Sequence, residues 1–264
     1  MFTSNPFAEL SAHIPSGYMQ IYVVIMLFLV IVGTLFDIWH KKSAKYFFQN
    51  WRKANTERSR TVSGGEMVSI ALQTTAIDIA ASGEFCSTRR RIAHLLTMYG
   101  FIFYVVATAI MVFKYPTTET MTPVILPQLW NIGAWMVCIG GYWFWFFLRV
   151  DVSAEGYPWY RIVRADLFVL SLVVTTTLGL IWSYLQSKNI YGWDTLFLIL
   201  FGLSNLVLFG GIYWSKFAHM FYKPGAAIQK RLAEADGCNE NLPYPTDKPK
   251  QFGLGIKREA PKHY

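Results

Sequence analysis

Five histidines stand in the 264 residues: His13, His40, His94, His219 and His263. Two lie in stretches whose composition could support chemistry. RRRIAH, residues 89–94, places three arginines one to two helical turns ahead of His94, and SKFAHMFY, residues 215–222, places Lys216 one turn ahead of His219. Neutral imidazole is a good ligand for a transition metal. Arginine and lysine at the same level would pair with the negative groups of whatever that metal belongs to. His13 and His263 sit near the chain ends, away from any such neighbourhood.

The ligand that best matches these residues is haem b. A low-spin haem in a helix bundle needs two axial donors from different helices, apolar walls for the macrocycle, and cations for its propionates. His94 and His219 are the expected iron donors, Arg89, Arg90, Arg91 and Lys216 the propionate partners, and Tyr99, Phe217 and Phe221 candidate wall residues. His40 could replace either histidine, and Met98 could serve as a donor. The simpler reading of a histidine beside arginines at a helix end is an interfacial residue touching lipid headgroups, and it stays open here. The three cysteines, Cys86, Cys138 and Cys238, form no CxxC and are too few for a four-cysteine zinc or iron–sulfur site held by this chain alone.

Positioning these groups falls to the apolar segments. The chain is 53% hydrophobic and 15% charged, against about 25% charged in soluble domains. Windows near 19–39, 93–113, 128–149, 165–187 and 193–215 are each long enough to cross a bilayer as a helix. They do not alternate as barrel strands do. The expected fold is therefore all-α, a polytopic membrane protein of five transmembrane helices. Of the 24 Lys/Arg, 22 fall in 41–92, in the connection after the third span, or from Lys216 onward; only Lys114 and Lys188 fall on the other side. The basic residues therefore predict an N-terminus outside and a C-terminus in the cytoplasm. Residues 1–18 lack any Lys or Arg and so do not read as a secretory signal.

The expected organisation is an outer leader over 1–18, a five-helix membrane domain over 19–216 and a basic cytoplasmic tail over 217–264. The cytoplasmic loop 41–92 is too long to be structureless. Its stretch 66–82 predicts one or two amphipathic helices on the membrane surface. The tail, rich in Lys and Pro, predicts extended chain. Trp143 and Trp145 read as interfacial belt residues, and Gly202, Gly210 and Gly211 as points of close helix approach. His40, His94 and His219 would all lie at the inner ends of spans. The Thr175–Thr177 run and Asn205 are the few polar groups at mid-span, too few to favour a transporter, and threonines commonly bond their own helix.

Five spans, RRxxH opening the second and SKFAHMFY closing the fifth together resemble the haem-b membrane subunits of the respiratory nitrate reductase gamma and quinone-interacting oxidoreductase type. Within that group the chain is most similar to the membrane anchor subunit of dissimilatory adenylylsulfate reductase. The resemblance covers roughly residues 19–223. It implies a membrane subunit in the bacterial cytoplasmic (inner) membrane. Such a subunit anchors a soluble flavin and iron–sulfur oxidoreductase that interconverts sulfite plus AMP and adenylylsulfate, and passes electrons through haem b to quinone. It implies no catalytic residue of the chain's own and no nucleic-acid partner. Two-haem members carry a second histidine pair; no histidine occurs between Leu95 and Ala218 here, which leaves one haem. His40 and Asp37 are candidates for a quinone site, with Tyr99 and Lys216 as further hydrogen-bond donors. A redox-inactive anchor for the same kind of partner is the alternative.

Overall fold

The computed structural model describes residues 2–237 except 42, 84, 86, 151–155 and 213–218, and describes the backbone alone at 41, 43, 44, 46, 50, 54, 57, 165 and 219–223. Among the described residues every regular element is helical. The elements are α1 (Pro6–Leu10), α2 (Ser16–Lys41), α3 (Ser43–Glu57), α4 (Gly64–Thr74), α5 (Thr88–Lys114), α6 (Ile125–Trp143), α7 (Leu167–Ser187), α8 (Trp193–Gly210) and α9 (His219–Asp236). A π-helical turn, Thr75–Ala80, extends α4; another, Phe144–Leu148, extends α6. Five helices are long and apolar enough to cross a membrane, in the places the apolar windows predict. This is the make-up of a multi-pass membrane protein.

The chain divides into two compact units, one of residues 1–36 and 92–218, the other of 37–91 and 219–264. In the first, α5 and α6 meet backbone to backbone. A Cβ on Gly100 would lie 2.7 Å from the Gly133 carbonyl oxygen, one on Gly133 would lie 2.6 Å from that of Gly100, and one on Gly140 would lie 2.7 Å from that of Ala93. Small residues at seven-residue spacing on both helices permit this approach, the usual device where lipid supplies no hydrophobic drive between helices. Gly202 and Gly210 of α8, expected to play this part, meet neighbours only at 3.9 and 4.0 Å, and Gly211 faces its own helix.

A chain of aromatic rings links five helices of the first unit. Tyr104 stacks on Trp130 at 4.9 Å, Trp130 meets Phe7 edge-on at 6.0 Å, Phe7 meets Trp182 at 5.6 Å, and Trp182 stacks on Phe201 at 5.6 Å. The rings come from α5, α6, α1, α7 and α8. The leader is thus part of the core, because Asn5 caps α1. Its Oδ1 accepts from Phe7 N and Ala8 N, and its Nδ2 donates to the Tyr115 carbonyl at 2.9 Å. Three of the four mid-span polar groups bond their own helices, while the buried Thr175 hydroxyl finds no partner among the described residues. Thr176 donates to the Leu172 carbonyl, Thr177 to that of Val173, and the Asn205 amide to that of Phe201.

The second unit gathers α3, α4 with its π turn, and α9. Residues 219–236, expected to be extended, are helical, because Ala227, Leu232 and Ala233 find apolar burial there. Carbonyls at the C-terminal end of α9 find donors: Ser59 and Arg60 give backbone N–H groups to Asp236 O, and Arg60 Nε donates to Ala235 O at 2.6 Å. Gly237 follows the helix at φ +77°, a conformation strained for other residues, and a Cβ there would run into the Ser59 hydroxyl.

Candidate functional site

The head of α5 carries most of the residues singled out by sequence. The helix begins at Thr88, so all three arginines lie in its first turn rather than ahead of it. Arg89 is exposed, Arg90 and Arg91 are half-buried or nearly so, and His94 and Tyr99 are half-buried farther along the same helix. Arg91 acts structurally. Its Nε donates to the Ala81 carbonyl at 2.8 Å and ties the end of the π turn to α5. Ala93, beside His94, is buried in the α5–α6 seam. One helical step rotates a side chain by about a quarter turn, which brings His94 to the flank of that seam.

On α2, Asp37 is fully buried and His40, three residues on, is exposed. Lys216 lies outside the described residues, and so do Phe217 and the side chains of His219 and Phe221. The described residues thus supply one of the two expected iron donors, together with Arg89 and Arg90 on the same helix. Among the described residues there is also no group of three His, Cys, Asp or Glu that could hold a metal ion without a porphyrin. One imidazole flanked by arginines fits half of a bis-histidine haem site.

Two charged sites come from residue types that the sequence shows but does not pair. Arg149 is completely buried. Its Nε donates to Asp166 Oδ1 at 3.2 Å and its Nη2 to Asp166 Oδ2 at 2.5 Å, while further donors reach the carbonyls of Tyr157, Pro158 and Arg161. The Trp145 ring lies 4.3 Å from the guanidinium carbon. Trp145 is therefore a buried floor for Arg149 and not a belt residue. All three guanidinium nitrogens are engaged, so Arg149 organises the connection between α6 and α7 rather than a ligand. The sequence signal is slight: an Arg and an Asp bounding a short loop rich in Tyr and Trp.

The other site lies in the second unit. Asp78, on the π turn, accepts from Arg231 Nε at 3.1 Å and Nη2 at 3.3 Å, and Glu234 lies 3.5 Å from Arg231 Nη1. Gln73 and Thr74 help to line a groove of about 280 Å³ beside them. The paired carboxylates hold the Arg231 guanidinium above its ordinary pKa, first through the hydrogen bond it donates to Asp78. Arg231 stays cationic at any physiological pH and so brings a fixed positive charge to the groove.

Comparison of the chain with protein-family models, curated proteins and solved structures returned no match.

Proposed function

We propose that this chain is the membrane subunit of an oxidoreductase complex. In this reading it anchors a soluble flavin and iron–sulfur partner of the adenylylsulfate reductase kind and passes electrons through one haem b to the quinone pool. The observation that carries the reading is the head of α5. Three arginines occupy a first turn where the peptide dipoles already place positive partial charge. That turn favours an anion nearby, and three residues beyond it stands a half-buried imidazole at the start of a span. A haem with two propionates asks for this donor set. Bound haem b supplies one-electron carriage between a soluble donor and a quinone.

In this scheme His94 and His219 hold the iron, Arg89 and Arg90 pair with the propionates, Lys216 adds a further cation, and Tyr99 walls the ring. Arg91 spends its Nε on Ala81, so its contribution is mainly to hold α5 in place. His40 and Asp37 lie one turn apart on α2 (exposed and fully buried respectively), an arrangement that suits proton delivery from water to a quinone oxygen. The basic residues set the N-terminus outside and the second unit in the cytoplasm. There α3, α4 and α9 offer a soluble partner a folded platform. The identity of that partner rests on the resemblance of RRxxH and SKFAHMFY alone.

A redox-inactive anchor is the second reading, and the tie from Arg91 to Ala81 favours it, because that bond gives part of the arginine row a purely structural role. Purification from native membranes in mild detergent, with mass spectrometry and a haem count per chain, separates the two. One haem per chain with flavin and iron–sulfur subunits attached supports the electron-transfer subunit; the same subunits without haem support the anchor; neither removes both.

A further inference from the structure

We infer that α3 carries a docking face for anionic phospholipid headgroups, built from Lys45, Phe48 and Arg52. These residues stand at i, i+3 and i+7, so they share one side of the helix. All three are exposed, and Phe48 leaves 60% of its surface open. The helix has a separate inner side. Phe47 lies against α9, where a Cβ on Gly225 would come within 3.8 Å of its ring, and Trp51 packs beside Phe47 at 6.2 Å. Phe48 meets Phe47 edge-on at the rim of that core, ring centroids 5.5 Å apart, and still leaves most of its own surface open. It is an apolar residue held out between two cations, the pattern of a helix that lies in a bilayer interface.

Chain continuity names the occupant. The candidate span of α2 ends at His40 and α3 begins at Ser43. Three residues reach at most about 11 Å, so α3 starts within or just beyond the headgroup layer, itself roughly 5–8 Å deep. Charge names the lipid. Residues 41–60 hold a run of Lys and Arg against a single acid, Glu57, and each cation close to an anionic surface adds to the attraction. An acidic face on a soluble protein is the competing occupant. This assignment is independent of any cofactor.

The test places an environment-sensitive fluorophore at Phe48→Cys in a Cys86→Ser/Cys238→Ser background, leaving the buried Cys138 in place, in full-length protein reconstituted in phosphatidylcholine nanodiscs with and without phosphatidylglycerol. Quenching by lipids carrying a nitroxide high on the acyl chain should rise with phosphatidylglycerol. In the added Lys45→Gln/Arg52→Gln variant, half-maximal quenching should need on the order of tenfold more of that lipid. Helicity by circular dichroism controls for folding. Absence of lipid quenching in both discs would overturn the proposal and turn the face toward water or protein. Equal quenching with and without phosphatidylglycerol, or no change in the double-glutamine variant, would overturn its anionic specificity.

Discussion

Arg149 and Asp166 meet side by side in the interior, Nε on Oδ1 and Nη2 on Oδ2, with neither side chain more than 9% exposed. Replacing Arg149 with Met would leave the Asp166 carboxylate with the Val163 N–H but no counter-charge, and would take a donor from three backbone carbonyls. Loss of one member of a buried pair costs about 3–5 kcal/mol, so Arg149→Met should unfold at much lower temperature in detergent and should open the 156–166 connection to protease. Arg149→Met/Asp166→Leu should recover part of that loss, since the double variant leaves no buried charge. Equal instability of the single and double variants would show that the carbonyls matter more than the pair.

Asn5 holds the leader in the bundle through both ends of its amide. Asn5→Ala removes the cap of α1 and the bond to Tyr115, with an expected cost of about 1–2 kcal/mol. Limited proteolysis of the N-terminal residues should accelerate in that variant, and Trp130 and Trp182 fluorescence should shift as Phe7 loosens between them.

The contact of Gly100 with Gly133 leaves no room for a methyl group on either side. Gly100→Ala or Gly133→Ala must push α5 and α6 apart, at a cost of about 1–3 kcal/mol. The same change at Gly202, whose Cβ direction is nearly open, should be close to neutral. Thermal unfolding of the three variants in one detergent checks the order.

Arg231 is half exposed, so its pair with Asp78 should contribute little, about 0–1 kcal/mol. The sign of its pH dependence follows from the raised pKa of the guanidinium. A group raised on folding stabilises fully below its unfolded pKa and loses that contribution only as pH rises through the folded value, here beyond the already strongly alkaline value of free arginine. The difference between wild type and Arg231→Gln in chemical unfolding should therefore stay constant from neutral to mildly alkaline pH.

The spans are legible in sequence because an apolar run of about twenty residues has few other homes. Their ends are less so. The apolar window opens the third span near 128, but α6 starts at Ile125, since Pro127 falls in the first turn, where its missing N–H is not needed. The window of the fifth reaches 215, but α8 stops at Gly210. Arg149 reads as one more positive charge, because a sequence displays charge and conceals burial; its partner lies 17 residues away across a loop with no periodicity. The helix over 219–236 is hidden for a related reason. Its apolar residues are few and gain their burial from tertiary packing. Asp78 and Arg231, 153 residues apart, carry no local sign of each other. At the candidate haem site the arginines and His94 are legible as a motif; the attachment of Arg91 to Ala81 is not.

Whether His94 and His219 hold one haem b decides the electron-transfer proposal. The most direct measurement is the dithionite-reduced minus oxidised absorbance spectrum of the purified wild type, His94→Ala and His219→Ala proteins, each produced with haem supplied and each shown to be monodisperse and helical. The wild type should show b-type bands, and both variants should lose them. A wild type without those bands, or bands that survive both substitutions, would contradict the assignment.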